Sequence, residues 1–449
     1  MVGVSAPAAG WENPSGAFAL RWAEEEVVGV GWHRLLVAGS AGLVLAGVLA
    51  GCPAGSQNGD QPEGPARSLS WASVDLSHFV GPGSRPDVTT VAPLPAATDA
   101  RWLLAGAAVS GPDPASSPAF WAATDLRTPT RYAAQAVSAD GAASVVLDAA
   151  TRPDGTTVAL SNRASPVHGN QRPNVWLWPG RPEAPWREVA TTRELFGGPN
   201  LVSLGNLASA PDGTFYASGT RTDDTDRQVA SVWRSSDGSS WERDDIDPAL
   251  ASGPGELVSG RAVAAGQRGV VIVGDAIRPL PGDPAHIGGA LWSSADGRHW
   301  HRAESSSFSP PGQTSLTTTI ATKRGFVAAG WSRQGSSGAL DVFTSQEGRS
   351  WQHLVVTPLA AAASDALETD GAGPVLAQGP HGLILGALAG SRWLMFASSD
   401  GSHWSQLQVP PSPGDIGRPA RVSLAWDGST ILAVAEGTAG SSAWTAQLA

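Results

Sequence analysis

Four acidic residues share one local sequence, and they are the first candidates for chemistry. Each follows a serine by two residues, directly precedes a glycine, and stands four residues before a tryptophan. Carboxylates act as acids and bases in hydrolases, but in a tight turn they also accept backbone N–H groups, while glycine supplies a positive φ. We therefore predict structural turn caps rather than catalytic acids. The four motifs are Ser235, Asp237, Gly238, Trp241; Ser294, Asp296, Gly297, Trp300; Ser345, Glu347, Gly348, Trp351; and Ser398, Asp400, Gly401, Trp404.

Two other groups of polar residues could suggest a metal. His299 and His301 flank Trp300, and strand alternation would place both on one exposed face, but no third ligand is evident. The acidic run 223–226 lacks the spaced ligands of known calcium loops and is interpreted as a solvated loop. We find neither a glycine-rich phosphate loop nor a Ser/His/Asp arrangement with a recognisable context. The sequence therefore predicts no metal and no cofactor.

Composition favours a turn-rich β protein that does not bind nucleic acid. The 449 residues include 54 Gly and 35 Pro, and no long stretch shows the apolar period of a helix. The net charge is −11 and no cluster of Lys and Arg stands out, which argues against a nucleic-acid partner. A lone cysteine, Cys52, excludes an internal disulfide.

The position of Cys52 indicates export. An apolar run from Leu35 to Ala50 follows His33 and Arg34, and leads directly to Gly51 and Cys52. This resembles the bacterial lipobox, which implies lipidation of Cys52 and anchoring at the outer face of the bacterial cytoplasmic membrane. The alternative is an uncleaved anchor, although the run is short for a span of about 20 residues. We assign residues 1–51 to an N-terminal extension and lipoprotein signal peptide, and 52–68, rich in Pro, Gly, Ser and Gln, to a flexible tether.

A repeat organises residues 69–449. The aromatic pairs Trp233/Trp241, Trp292/Trp300, Phe343/Trp351 and Phe396/Trp404 bracket the four turns, and weaker copies lie near 120, 178 and 444. An apolar run precedes each pair, so a unit of about 55 residues provides four short strands and no helix, which is a propeller blade. We predict an all-β, seven-bladed β-propeller. The last copy lacks a fourth strand, and 70–74 resembles one, so the N-terminal strand should close the last blade.

The S-x-D-G-x-x-W turns resemble the Asp-box, also called the bacterial neuraminidase repeat. It occurs in sialidases, in other glycan-degrading propellers and in non-enzymatic assembly factors of the sialidase-like superfamily. A sialidase would require an arginine triad, a tyrosine nucleophile with a glutamate partner, and an aspartate acid/base. The chain lacks the opening arginine motif, and its two tyrosines, Tyr132 and Tyr216, lie in a decayed repeat and in an apolar strand. The resemblance therefore implies the fold more than the activity.

Ligand contacts in such a propeller are expected on the loops between the second and third strands. There the rigid scaffold presents variable loops around the central channel. Tryptophan and arginine are favoured interface residues, and we predict two exposed pairs of them in these loops, at 331/333 and 392/393. The candidate ligand face comprises Arg163, His168, Arg221, Arg278, His286, Trp331, Arg333, Arg392 and Trp393.

These observations favour binding over turnover. We expect a monomeric, membrane-anchored extracytoplasmic propeller that binds an envelope protein or a glycan without catalysis. The alternative is a sialidase-like carbohydrate-active hydrolase, because a catalytic carboxylate pair could converge from distant strands. Whether the protein is an enzyme stays open at this point, with binding preferred.

Overall fold

The computed structural model describes residues 68–448 except 112–114, 164–170, 245–246, 281–282, 304–311, 336, 361–372, 390–391, 415 and 418. The predicted signal segment, Cys52, most of the predicted tether and His168 lie outside the described residues. The domain boundaries at 51 and 68 thus stay predictions. No described helix is long and apolar enough to cross a membrane.

Seven sheets, called blades 1 to 7, follow one another along the chain. The first strand of the chain, β1 (Trp71–Val74), belongs to the last blade. Blades 1 and 2 consist of β2 (Ser84–Pro93), β3 (Trp102–Ser110), β4 (Ala115–Ala123) and β5 (Thr130–Arg131), then β6 (Ala134–Gln135), β7 (Val145–Thr151), β8 (Thr157–Arg163), β9 (Arg172–Trp178) and β10 (Trp186–Val189). Blades 3 and 4 consist of β11 (Leu201–Ser209), β12 (Phe215–Thr222), β13 (Gln228–Ser235), β14 (Glu242–Asp244), β15 (Leu257–Gly266), β16 (Gly269–Leu280), β17 (Asp283–Ser294) and β18 (His301–Arg302).

The remaining three blades repeat this arrangement. They consist of β19 (Gln313–Thr322), β20 (Gly325–Gln334), β21 (Ser337–Ser345), β22 (Gln352–Ala360), β23 (Val375–Gly379), β24 (Gly382–Ala389), β25 (Arg392–Ser398), β26 (Ser405–Gln406), β27 (Pro419–Trp426), β28 (Thr430–Gly437) and β29 (Gly440–Gln447). Each blade is an antiparallel four-stranded sheet, and β6 adds a fifth, parallel strand to blade 2. The helices are single turns, α1 (Ala139–Ala142) and α2 (Arg193–Phe196), with 3-10 turns at Leu76–Phe79, Ala96–Thr98 and Pro248–Leu250.

The ring closes through the N-terminal strand, which confirms the predicted fold and closure. Strand β1 pairs antiparallel with β29, with Trp71 opposite Ala446 and Val74 opposite Ala443. The first strands of neighbouring blades contact one another all the way round, including β27 of blade 7 and β2 of blade 1. These first strands therefore surround the central axis. Both edges of β29 are paired, one with β28 and the other with β1.

The ends of the ring differ in their connections. We call the end with the hairpins between second and third strands the hairpin face, and the end with the other two turns of each blade the turn face. Several predicted hairpin loops are in fact strand. For example, β16 and β17 pair as far as Leu280 and Asp283, so most of 275–289 is an extended hairpin. Such hairpins project ordered backbone from the ring because their N–H and C=O groups pair with each other.

Side chains of one inner strand bind the backbone of the next. The inner edge of each first strand has no further strand beside it, so some of its N–H groups need other acceptors. The carboxylate of Asp148 in blade 2 accepts the N–H of Leu207 in blade 3 at 2.7 Å. The amide oxygen of Asn206 in blade 3 accepts the N–H of Val263 in blade 4 at 2.6 Å. We call these blade-to-blade hydrogen bonds the inner interlock.

The S-x-[DE]-G turns lie on the turn face between the third and fourth strands. In blade 3, Asp237 Oδ1 accepts the N–H groups of Ser239 and Ser240 at 2.7 Å each. Gly238 has a φ of 78°, and its carbonyl accepts the indole N–H of Trp241 at 3.1 Å. Trp241 is buried between blades 2 and 3. The turn thus connects backbone capping to packing between blades.

The same carboxylate cap occurs in blade 1, where the sequence motif is lost. Asp125 Oδ1 accepts the N–H groups of Arg127 and Thr128 at 3.0 Å each, although no glycine follows Asp125. Asp125 stands four residues after Trp121, the same spacing as Asp237 after Trp233. This spacing is the sequence signal for the cap, although the copy lacks the serine, glycine and second tryptophan of the motif.

We expect removal of β1 to weaken the ring. A variant that begins at Asp75 leaves β29 with an open edge, which should lower Tm by on the order of 5 °C and cause self-association. A variant that begins at Ser68 retains β1 and is the matched control. Thermal denaturation and light scattering measure both effects. Equal Tm values and two monomeric variants would show that β1 does not stabilise the closure.

A pair of substitutions tests the turn caps. Glu347 accepts the N–H of Ser350 at 3.1 Å, and no second backbone N–H within the described chain donates to it. Asp237→Ala should lower the free energy of unfolding by about 1–2 kcal/mol because two N–H groups lose their acceptor. Glu347→Asp should raise it by about 0.5 kcal/mol by allowing the second bond. Chemical denaturation gives both values, and destabilisation by Glu347→Asp would contradict the capping explanation.

Candidate functional site

The two tryptophans of the predicted ligand face are buried, so their predicted exposure is wrong. Trp331 is 4% exposed and packs between blades 5 and 6. Trp393 is 2% exposed and meets Trp444 edge to face, with ring centroids 6.0 Å apart. Both stand in strands rather than loops, on the side that faces the neighbouring blade, where burial of a large aromatic surface stabilises the ring.

Arg221 is also buried, and the prediction that it faces a ligand is wrong. It is 6% exposed, and its Nη1 donates to the carbonyl of Gly197 at 3.0 Å. A guanidinium can occupy such a site because the backbone carbonyl satisfies part of its hydrogen-bonding capacity. Arg221 therefore fixes the connection between blades 2 and 3.

The other predicted cations of the hairpin face are more exposed, but carboxylates pair with two of them. Arg163 forms an ion pair with Asp140 at 2.9 Å, and Arg278 with Glu256 at 3.2 Å. Opposite Arg278 in the hairpin, His286 is half-buried. Arg333 donates to the carbonyl of Gly335 at 3.2 Å, and Arg392 is exposed. These residues belong to different blades, and the structure does not gather them into one site.

A different cluster forms where inner strands meet near the hairpin face. Arg421 of β27 in blade 7 donates from Nη1 to the carbonyl of Leu147 in blade 2, at 2.9 Å. The bond passes blade 1, so the guanidinium must lie on the axial side of the inner strands. We define the channel cluster as Arg85, Asp87, Asp148, Arg421 and Glu436.

Asp148 occupies the centre of this cluster and already has partners. Besides the N–H of Leu207, it accepts the hydroxyl of Thr90 at 3.2 Å. Protein atoms surround the carboxylate, although the residue keeps some exposure toward the channel. Burial raises the pKa of Asp148, and the hydrogen bonds and Arg421 oppose that shift. Its role is to join inner strands.

Glu436 and Asp87 are the two carboxylates of the cluster that accept no backbone N–H within the described chain. Burial raises the pKa of Glu436, Asp87 raises it further by repulsion, and Arg421 lowers it. Burial also raises the pKa of Asp87, against the effect of Arg85, whose Nε lies 3.2 Å from Asp87 Oδ1. Two partly buried carboxyls thus share the influence of Arg85, an arrangement that is typical of functional sites.

The sequence could not indicate the channel cluster. Its members come from strands of blades 1, 2 and 7, so Asp87 and Glu436 are separated by almost the whole propeller. Arg85 and Asp87 are two residues apart, but no recognisable motif surrounds any member of the cluster. Only the closure of the ring brings β2 against β27 and β28.

Neither tyrosine reaches the channel cluster. Tyr132 and Tyr216 are buried in the apolar cores of blades 1–2 and 3–4, and burial raises the pKa of each phenol. A Cβ on Gly297 would meet the Tyr216 hydroxyl at 2.6 Å, so this ring packs against a turn at the far end of the propeller. A phenolate nucleophile is disfavoured at both positions.

The residues that could suggest a metal have local partners. His299 Nδ1 lies 2.7 Å from Asp296 Oδ2, and the side chain is 88% exposed. The N–H of His299 lowers the pKa of Asp296 to about 2. Asp223 accepts the N–H groups of Thr225 and Arg227 and pairs with the Arg227 side chain at 2.9 Å. In the described part of the chain, no three His, Cys, Asp or Glu residues converge as a metal site.

Comparison with known proteins gives structural matches only. No protein-family model and no curated protein matches the chain. A Hadza microbial sialidase is 13% identical, with 83% of this chain and 67% of that chain covered and a TM-score of 0.43. An α-L-arabinofuranosidase of Fusarium graminearum is 16% identical, with 67% and 93% covered and a TM-score of 0.41. The β-propeller domain of a Pyrococcus furiosus protease is 9% identical, with 80% and 95% covered and a TM-score of 0.43. The chain is a seven-bladed β-propeller that resembles sialidase and glycoside hydrolase propellers at low identity.

The raised pKa of Glu436 predicts a pH-dependent effect of its substitution. Between pH 4.5, its ordinary pKa, and the higher pKa in the folded protein, the folded state binds more protons than the unfolded state, so stability falls as pH rises. Glu436→Gln should therefore raise the free energy of unfolding at neutral pH and have no such effect below about pH 4. Denaturant titrations across this range measure it. The exposed Glu183→Gln is the control, and equal behaviour of the two variants would contradict the burial of Glu436.

Proposed function

We propose that the chain is a membrane-anchored, extracytoplasmic propeller that binds a glycan at the channel cluster without hydrolysing it. The observation that supports this most is the convergence of two carboxyls, Asp87 and Glu436, and two arginines, Arg85 and Arg421, near the hairpin face. Carboxylates and guanidinium groups form the directional hydrogen bonds that recognise hydroxyl-rich ligands. A protein partner stays the second class of ligand, because the paired arginines of the hairpins surround the same face.

Several observations favour binding over turnover. The carboxylate of Asp148 already accepts the backbone N–H of Leu207, and both tyrosines lie in apolar cores. Arg163 and Arg172 share Asp140, while Arg278 and Arg302 share Glu256, so each of these four guanidiniums already has a carboxylate partner. A convergent triad of free arginines for an anionic sugar would require these pairs to break, at a desolvation cost.

One observation favours a hydrolase as the second candidate. Burial raises the pKa of both Asp87 and Glu436, and the charge of Asp87 raises the pKa of Glu436 further. A glycosidase uses one carboxyl with a raised pKa as the acid and a second, ionised carboxylate as base or nucleophile, and Glu436 is the candidate for the first role. The candidate activity is glycoside hydrolysis at the channel cluster, with Glu436 as the acid.

Binding to a panel of labelled glycans, with release of reducing ends measured in parallel, tests both candidates. Arg421→Ala should weaken glycan binding by about tenfold or more because a charged hydrogen bond is lost. Arg298→Ala removes an exposed arginine on the turn face and should have no effect. Thermal denaturation of both variants identifies any loss of folding.

The outcomes separate the two functions. Binding without reducing ends supports the proposed function. Reducing ends that disappear in Glu436→Gln would replace it with hydrolysis. Absence of binding to every glycan, or equal weakening by Arg298→Ala, would overturn the assignment of the channel cluster.

A further inference from the structure

A cavity of about 550 Å³ lies on the turn face around the propeller axis. Its walls are the connections between first and second strands of six successive blades, 1 to 6. It lies at the opposite end of the inner strands from Glu436 and Arg421, so it is distinct from the channel cluster. Its lining includes four prolines and two cations, namely Pro93, Pro95, Pro153, Pro211, Arg152 and Lys323.

The walls of this cavity are rigid. In blade 2, Gly155 has a φ of 89° and donates its N–H to the backbone carbonyl of Arg152 at 2.9 Å, and Pro153 occupies the turn between them. Blade 3 repeats the turn with Pro211 and Gly213. Proline fixes φ, and a closed turn restricts the rest of the backbone. A ligand would therefore meet preformed apolar surfaces, and little conformational entropy would be lost on binding.

The acidic residues of these turns do not line the cavity. Asp154 accepts the N–H of Thr156 and Asp212 the N–H of Thr214, each at 2.9 Å, so both carboxylates cap their own turns. Among the described residues that line the cavity there is no aspartate or glutamate. The ionisable side chains of the lining are Arg152 and Lys323, and both are cations.

Lys323 is the cation that is free to bind a ligand. Arg152 is already held, since its guanidinium lies 4.2 Å from the Phe215 ring centroid and its Nη2 donates to the carbonyl of Ser236 at 2.6 Å. Lys323 is exposed, and its ammonium forms no ion pair or hydrogen bond with the described chain. It is also the sole lysine of the protein, which is acidic overall.

We propose that the turn-face cavity binds a small organic anion. The anionic group pairs with the Lys323 ammonium at the rim, and the apolar part of the ligand packs on the apolar side chains of the lining. The cavity has room for a molecule of the size of a monosaccharide or a substituted benzene ring. An uncharged ligand of the same shape gains the apolar contacts but not the ion pair.

Amine-selective acylation tests this on the intact protein, because Lys323 carries the single lysine amine. Benzoate is the anionic probe and benzamide is its uncharged counterpart of nearly the same shape. We expect benzoate to slow acylation of Lys323, read by peptide mass spectrometry, in a saturable manner, and benzamide to have much less effect. Equal protection by both probes, or protection by neither, would overturn the proposal.

Saturation-transfer NMR on the benzoate ring protons gives a second measurement that does not depend on the lysine. Lys323→Gln should weaken benzoate binding by about two- to fivefold, the range expected for one exposed ion pair. Arg324→Gln removes the adjacent exposed cation, which does not line the cavity, and should leave binding unchanged. If both variants weaken binding equally, the attraction is a general charge effect and the site is refuted.

Discussion

The inner interlock is the interaction on which the rest of the structure depends. A propeller blade has an inner strand whose axial edge faces no further strand, and unpaired buried N–H groups are costly. Here the neighbouring blade supplies the acceptors, as Asp148 does for Leu207 and Asn206 does for Val263. The hydroxyl of Ser423 in blade 7 does the same for Val91 in blade 1, at 3.0 Å. The same type of bond thus operates across the closure of the ring.

This interlock also creates the chemistry of the channel cluster. Asp148 must be partly desolvated to hold the next blade, and desolvation raises its pKa. Arg421 compensates by lying close to it, and in doing so it also approaches Glu436. A polar site near the axis is therefore a consequence of holding seven sheets together around a channel. Ligand recognition at this site would reuse groups that the fold already requires.

The two faces of the propeller follow different physical rules. On the turn face, carboxylates such as Asp237 accept backbone N–H groups of their own turns. Lys323 at the rim of the turn-face cavity has no ion-pair partner within the described chain. Toward the hairpin face, Asp87 interacts with Arg85, and burial raises its pKa. The faces consequently suit different ligands.

The sequence by itself determined the fold class, the number of blades and the closure by the N-terminal strand. It could do so because aromatic spacing, turn residues and apolar runs are local signals that recur in every blade. Most of the candidate site was not accessible in this way. Trp331 and Trp393 looked like exposed anchors because sequence does not say which face of a strand meets the next blade. Asp87, Glu436 and Arg421 gave no signal at all, because their chemistry arises from burial and from mutual approach across the ring closure. Only the tertiary structure decides the burial of these side chains and the distances between them, since both depend on which inner strands are neighbours around the axis.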